Sequence, residues 1–368
     1  VSPDVFILSR PHGVVRAAGV VRRYPDAAAA ARDLRERRVD SVVGALAFDP
    51  LEPSALIAPT ALHHTRIPLP GAQPTTRRLT SVVEIPDLAT HLARVQAAVA
   101  AIADGGLDKV VLARALTGRL DAPADVDDLL AALAGGNHEH NAFAVDTGTG
   151  RLVGASPELL LRKHGREVTC LPYAGSAPRH ADPAADRRSR EALAGSAKDH
   201  REHTFVVEHL RRRLAPIATD LEIGGRPELL STGEMWHLAT PVHAVLTESD
   251  STALDLAMML SPTPATCGTP ADVAARFIRT HEEPRGLYAG AVGWADAAGN
   301  GEWMVTIRCL ELDRTGTGVR MWAGGGIVAG SDPQAELTET TAKLQTVLNA
   351  LGVTLDDLPA AGMTPRQS

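Results

Sequence analysis

Apolar positions along the chain follow two rhythms. In "PDLATHLARVQAAVAAIA", Pro86 to Ala103, they return every three to four residues, which predicts a helix, and Gly105-Gly106 ends it. The same rhythm predicts helices near 26–37 ("DAAAAARDLRER"), in "DVDDLLAALAGG" and in "PADVAARFIRTH". A longer helix is expected from near Arg187 through "KDHREHTFVVEHLRRRLAPI". Elsewhere the runs are short, apolar and bounded by turn residues, which predicts strands. These include "DVFILSR", "VDSVVGALAFD", "LDKVVLARALTGRL", "EMWHLATPVHAVL" and a series from 141 to 175 with turns at Thr147–Gly150 and His164-Gly165. "GLYAGAVGWADAAGNGEWMVTIRCLELD" reads as a hairpin turning at Asn300-Gly301, and 61–80 as an irregular connection. Strands fall in neighbouring groups with helices inserted between them. That favours an α+β fold with antiparallel sheets over a doubly wound parallel sheet.

The stretch "GGGIVAGSDPQAELTETTAKL", Gly324 to Leu344, reads as a strand, a glycine turn and a helix. Asp332-Pro333 has the pattern of an N-cap followed by proline in the first turn. Glu336, Glu339 and Lys343 fall within about 60° of one another around the helix axis. Leu337, Leu344, Leu348 and Leu351 form a separate apolar stripe. Such a face suits a solvated Glu-to-Lys pair, or a site for an anion and a hard cation. No Gly-Lys-Ser/Thr follows the glycines and their spacing is not GxGxxG, so neither nucleotide fingerprint is present.

The 368 residues suffice for one large domain, and 44% hydrophobic with 22% charged residues is ordinary for a globular protein. A formal charge of −7 argues against a general nucleic-acid or anionic-membrane binder, so an anionic substrate needs a local cluster of cations. Cys170, Cys267 and Cys309 form no metal spacing and suit a reducing cytoplasm. No apolar run approaches the length of a membrane span, and "VSPDVFILSRPHG" lacks the layout of a signal peptide.

Several charged residues stand in apolar surroundings. Lys109 lies in "DKVVLAR" on the face of Val111 and Ala113, where it either snorkels to an edge or, desolvated, acts as a base. Glu158 in "GASPELLL" is a loop acid or a carboxyl held protonated in an apolar pocket. Glu202 has Phe205 and Val206 as helix neighbours, a costly place for an acid without a partner or a metal. Arg308 in "EWMVTIRCLEL" needs an anionic partner, internal or bound, and Tyr288 in "RGLYAG" offers a hydroxyl.

Taken together, "DKVVLAR", "GASPELLLR", "LPYAGSAPR", "KDHREH", "HLATPV", "SPTPATCGTP", "RGLYAGAVGW", "EWMVTIR" and "AGGGIVAGSDPQAELTETTAKL" stand in an order that resembles the chorismate-utilising enzymes. These include isochorismate, salicylate, anthranilate and aminodeoxychorismate synthases, and the resemblance is greatest to isochorismate synthases. It covers roughly 85–352 as a catalytic core, with 1–84 as a variable N-terminal part of the same domain and 353–368 as a tail. It implies one large α+β domain of two packed, mainly antiparallel sheets flanked by helices, with a Mg²⁺-dependent cleft.

By the same resemblance, Glu202 and Glu339 are direct metal ligands and Glu336 acts through water. Arg308 and Tyr288 would hold the enolpyruvyl carboxylate of chorismate. Gly175, Gly324 and Gly326 would offer backbone N–H groups. Lys343 would add positive charge, and His237 would contact the ring. Lys109 is the general base of water-using relatives and Glu158 the acid opposite it. Ala174 stands where aminodeoxychorismate synthases carry a nucleophilic lysine, and Ser176 replaces the usual threonine. Ala265 in "SPTPA" matches isochorismate rather than salicylate synthases. The implied reaction is water addition at C2 of chorismate with loss of the C4 hydroxyl. The alternatives are a salicylate synthase and a catalytically silent chorismate-binding protein. A cytoplasmic monomer without a glutaminase partner, nucleic acid or membrane is expected.

Overall fold

The computed structural model describes residues 4–233 and 235–353. Every strand pairing among them is antiparallel, as expected, and the strands form two large sheets and one small one. Asp4–Arg10, Gly13–Ala18, Ala142–Asp146, Gly150–Gly154, Cys309–Asp313, Gly318–Val328 and Lys109–Leu120 lie in a ten-stranded sheet. Ser41–Leu46, Leu159–His164, Glu167–Leu171, Val242–Leu246, Ala291–Asp296 and Gly301–Val305 lie in a nine-stranded sheet. Residues 4–84 supply strands to both, so this segment is built into the same domain.

The sheets pack face to face over a core of Phe6, Leu8 and Phe143 from one and Val43, Ala45, Val292 and Met304 from the other. Helices Val126–Gly135 and Pro333–Leu351 cover the outer face of the first sheet. Ala27–Arg35, Ala197–Leu214 and Ala253–Leu260 cover the outer face of the second. Ser41–Leu46 is buried at every position, because both its faces and both its edges are covered.

Four expectations change, each for a local reason. "EMWHLATPVHAVL" is two strands, Met235–Ala239 and Val242–Leu246, in different sheets. Pro241 cannot donate to a ladder, and Pro172 interrupts the neighbouring strand at the same level, between Glu167–Leu171 and Tyr173–Pro178. The two breaks let a three-stranded sheet of Tyr173–Pro178, Met235–Ala239 and Glu228–Ser231 leave the large one. The long helix is likewise two, Pro183–Gly195 and Ala197–Leu214. Ser196 is extended and caps the second through Asp199 N at 3.2 Å. The irregular connection contains the strand Ala61–Thr65 and ends at the strand Leu79–Ile85. Finally, the three glycines are not a turn. They lie inside Gly318–Val328, registered with Ala113, Leu112 and Val111, and the turn comes later, at Gly330 with φ +85°.

The helix after that turn is capped as expected, Asp332 accepting from Ala335 N at 2.8 Å. Leu344, Leu348 and Leu351 are buried and Leu337 is half-buried. The helix Ala253–Leu260, with a Thr252–Asp255 capping box, was not anticipated. The C-terminal tail, Val353 apart, falls outside the described residues. No described helix is long and apolar enough to cross a membrane.

A buried ion pair ties the sheets together. Arg10 Nε on the first donates to Glu302 Oε1 on the second at 2.9 Å, and Arg10 Nη1 donates to Asn141 Oδ1 at 2.6 Å. Burial alone would raise the Glu302 carboxyl, but His12, Arg10 and Arg162 outweigh it and hold it at about 2. Glu302→Ala leaves Arg10 buried without its anion and is expected to destabilise by ~3–5 kcal/mol at pH 7. Because the folded value is depressed from 4.5, this contribution is complete above 4.5 and fades as pH falls towards 2. Urea unfolding at several pH values measures it, and a loss below ~1 kcal/mol, the range of exposed pairs, would contradict it.

Candidate active site

A cavity opens between the ten-stranded sheet and the small one. Glu158, Gly175, Ser176, Glu202, His237, Ala265, Tyr288, Arg308, Gly324, Gly326, Glu339 and Lys343 all line it. Lys109 and Glu336 stand directly behind that wall. The sequence-predicted residues, drawn from more than 200 positions of chain, therefore meet in one place. Ala174 lines it as well, and Tyr173, Thr266, Ile307 and Trp322, which were not singled out as site residues, complete much of the wall.

Strand alternation explains the glycines. Gly324 and Gly326 face the cavity side. A Cβ at Gly326 would stand 2.3 Å from Glu202 Oε1 and 3.1 Å from Lys109 Cε, and one at Gly324 3.1 Å from Tyr288 Oη. Gly325 faces the helix, where a Cβ would stand 3.0 Å from Glu336 Oε2. The run of glycines makes room for an acid on either side of one strand. Gly324 also offers its carbonyl, at 2.9 Å, to Lys343 Nζ.

Each of the three glutamates has its own lysine. Glu202 Oε1 lies 3.0 Å from Lys109 Nζ, an ion pair outside hydrogen-bond geometry. Glu336 Oε1 accepts from Lys198 Nζ at 2.8 Å and Ser331 Oγ at 2.7 Å. Glu339 Oε1 pairs with Lys343 Nζ at 2.6 Å and accepts from Ser176 Oγ at 3.0 Å. Burial would raise Glu339, yet Lys343 and Lys198 hold it below the usual carboxylate range. Burial and the charge of Glu339 raise Glu336. Asp199 joins the group, raised by burial and by Glu202. Lys198 and Asp199 lie four and three residues before Glu202, a helix-face spacing that the motif "KDHREH" already displayed.

Glu158 is buried in the cavity wall, just before the strand Leu159–His164. Burial drives its carboxyl up to about 8, against the opposing pull of the Tyr173 N–H and the charges of Lys109 and Lys343. His237 is held well below its ordinary value by burial and by Arg308 and Lys343, so it is a neutral imidazole. It stacks on Tyr173 with ring centres 5.2 Å apart and reaches Thr232 Oγ1 at 3.3 Å.

Arg308 is not mid-strand. It lies where the chain passes from Gly301–Val305 in one large sheet to Cys309–Asp313 in the other, with φ +52°. Ala289, beside Tyr288, has φ +66°. Such left-handed conformations at non-glycine residues are costly and cluster at binding sites. Arg308 Nη1 donates to Thr346 Oγ1 at 3.3 Å.

Among the described residues no three acidic, histidine or cysteine side chains converge as a ready metal site. The chemistry of the donors nevertheless fits a hard divalent cation. They are all carboxylates, they repel one another, and Glu336 Oε2 is buried with no hydrogen-bond partner.

Sheets that part beneath a small third sheet, to bury lysines and carboxylates around one cavity, describe an enzyme of the α+β class for a small organic anion. The chain belongs to the chorismate-binding enzyme family, whose model, described as "Chorismate binding enzyme", matches residues 60–352. It is 37% identical to isochorismate synthase DhbC of Bacillus subtilis (strain 168), over 95% of this chain and 94% of that one. It is 40% identical to isochorismate synthase EntC of Escherichia coli K12, over 85% and 81%. The structure of MenF, the menaquinone-specific isochorismate synthase of Escherichia coli, superposes with a TM-score of 0.82 at 26% identity, covering 95% and 89%.

Gly326→Ala is expected to fold, since the group it displaces is the end of the Glu202 side chain, and to disturb the Glu202–Lys109 contact. Chorismate binding should weaken about tenfold or more by calorimetry, and wild-type affinity in the variant would contradict this reading of the glycines.

Proposed function

We propose that the protein is an isomerase that converts chorismate to isochorismate in this cavity. The observation that carries the reading is the presence of Lys109, buried at the start of the strand Lys109–Leu120, and Glu158, a carboxyl kept protonated to about pH 8, beside one cavity that Arg308 and Lys343 line. The names of the relatives over nearly the whole chain point to the same reaction.

Arg308, Tyr288 and Lys343 meet the two carboxylates of the substrate, with backbone N–H groups at Gly175, Gly324 and Gly326 as further donors. Neutral His237 and Ala265 border the ring. Lys109 takes a proton from water as its oxygen bonds to C2. Both ring double bonds shift by one position between C2 and C4, and the C4–O bond breaks as Glu158 passes its proton to the departing hydroxyl, which leaves as water. Ala174 offers no amine, so no covalent lysine intermediate forms at this position, and Lys109 as the base makes water rather than ammonia the nucleophile. Mg²⁺ would be held by Glu202 and Glu339, with Glu336 behind them, and would neutralise the ring carboxylate.

Incubation with chorismate, followed by chromatography, tests the proposal. Isochorismate is expected with Mg²⁺ and not with EDTA. Salicylate with equimolar pyruvate would make the protein a salicylate synthase instead, and binding without turnover would make it a silent chorismate binder. Lys109→Ala and Glu158→Gln are each expected to lower kcat by about 10²–10⁴-fold with little change in chorismate affinity. Near-normal turnover in either variant would remove that residue from the mechanism.

A further inference from the structure

The strand Lys109–Leu120 has an edge that no single strand covers. At its start Lys109 and Val110 pair with Thr269 and Gly268, and Val111 N donates to Cys267 O at 2.8 Å. Further on, Leu79–Ile85 takes over, with Ile85 opposite Ala115. Between the two, side chains complete the ladder. Arg285 Nη2 donates to Val111 O at 2.7 Å, and Glu282 Oε1 accepts from Ala113 N at 2.7 Å.

The same two residues hold each other and two parts of the cavity wall. Arg285 Nε and Nη2 meet the two Glu282 oxygens at 2.7 and 2.9 Å, a forked pair with both side chains buried. Arg285 Nη1 donates to Thr266 O at 2.8 Å, and Arg285 O accepts from Tyr288 N at 3.2 Å. Phe48 lies under the guanidinium, 4.4 Å away. Thr266 and Tyr288 both line the cavity, and the Tyr288 ring is backed by Trp322, stacked at 5.7 Å.

We propose that the Glu282–Arg285 pair is a positioning device that fixes Tyr288 and the loop 261–269 at a set distance from the strand carrying Lys109. It governs substrate anchoring rather than proton transfer. The strand itself is held along its other edge by eleven registered positions of Gly318–Val328, so loss of the pair moves the loop and the Tyr288 turn and leaves Lys109 in place. The kinetic part of this inference rests on the chorismate reading above.

Arg285→Lys keeps the charge and loses the fork. In the free variant, hydrogen exchange should quicken in peptides covering 261–269 and 286–290 and stay unchanged in 318–328. With chorismate, KM should rise about tenfold or more while kcat stays within about threefold. Unchanged exchange and kinetics would overturn the proposal, and so would a fall in kcat at constant KM. If wild type does not turn chorismate over, the proposed function fails, and the exchange pattern still decides for or against the clamp. Should Arg285→Lys not fold, Glu282→Gln carries the same test, because its amide cannot make the charged fork.

Discussion

At Gly326 the space a Cβ would fill is occupied by Glu202 Oε1, with Lys109 just beyond. The contact between that acid and that amine exists only because the strand between them has no side chain there. Gly324 and Gly325 extend the same constraint to Tyr288 and Glu336, on opposite faces. A hydrogen-bonded strand is a rigid support, and its antiparallel partner begins at Lys109 itself. Lys109, the acid cluster and the Tyr288 hydroxyl are therefore referred to one pair of strands, which is how a site keeps its geometry without relying on loops.

The charges in this cleft would be costly singly. Taking an ammonium or a carboxylate out of water costs several kcal/mol per ion unless a partner is close. The fold meets the cost by interleaving Lys109, Lys198 and Lys343 with Glu202, Glu336 and Glu339. Glu158 is the exception. It has no lysine in contact, only the distant pull of Lys109 and Lys343, so burial decides and the proton stays. The same cleft thus contains carboxylates paired with lysines and one neutral acid away from them, and this division follows from placement.

Much of this was legible in the chain. Lys109 inside an apolar strand and Glu202 on the apolar side of a helix announced buried charge, and the ordered motifs announced which residues belong together. What the sequence hid were changes of sheet. Pro172 and Pro241 are separate in sequence, and only their adjacency in the ladder shows that they release a small sheet over the cavity. Arg308 looked like a strand residue because Ile307 and Cys309 flank it, whereas it is the crossing point between sheets. The glycines looked like a turn because glycine usually serves φ, yet here it serves space. Lys198 was overlooked because its partner Glu336 is 138 residues away.

The central claim is that burial keeps Glu158 protonated at neutral pH. Carboxyl-labelled glutamate NMR, with Glu158→Gln to assign the resonance, measures this directly. The account predicts a titration midpoint for Glu158 near 8 in the free protein. A midpoint in the ordinary glutamate range, near 4.3, would contradict it.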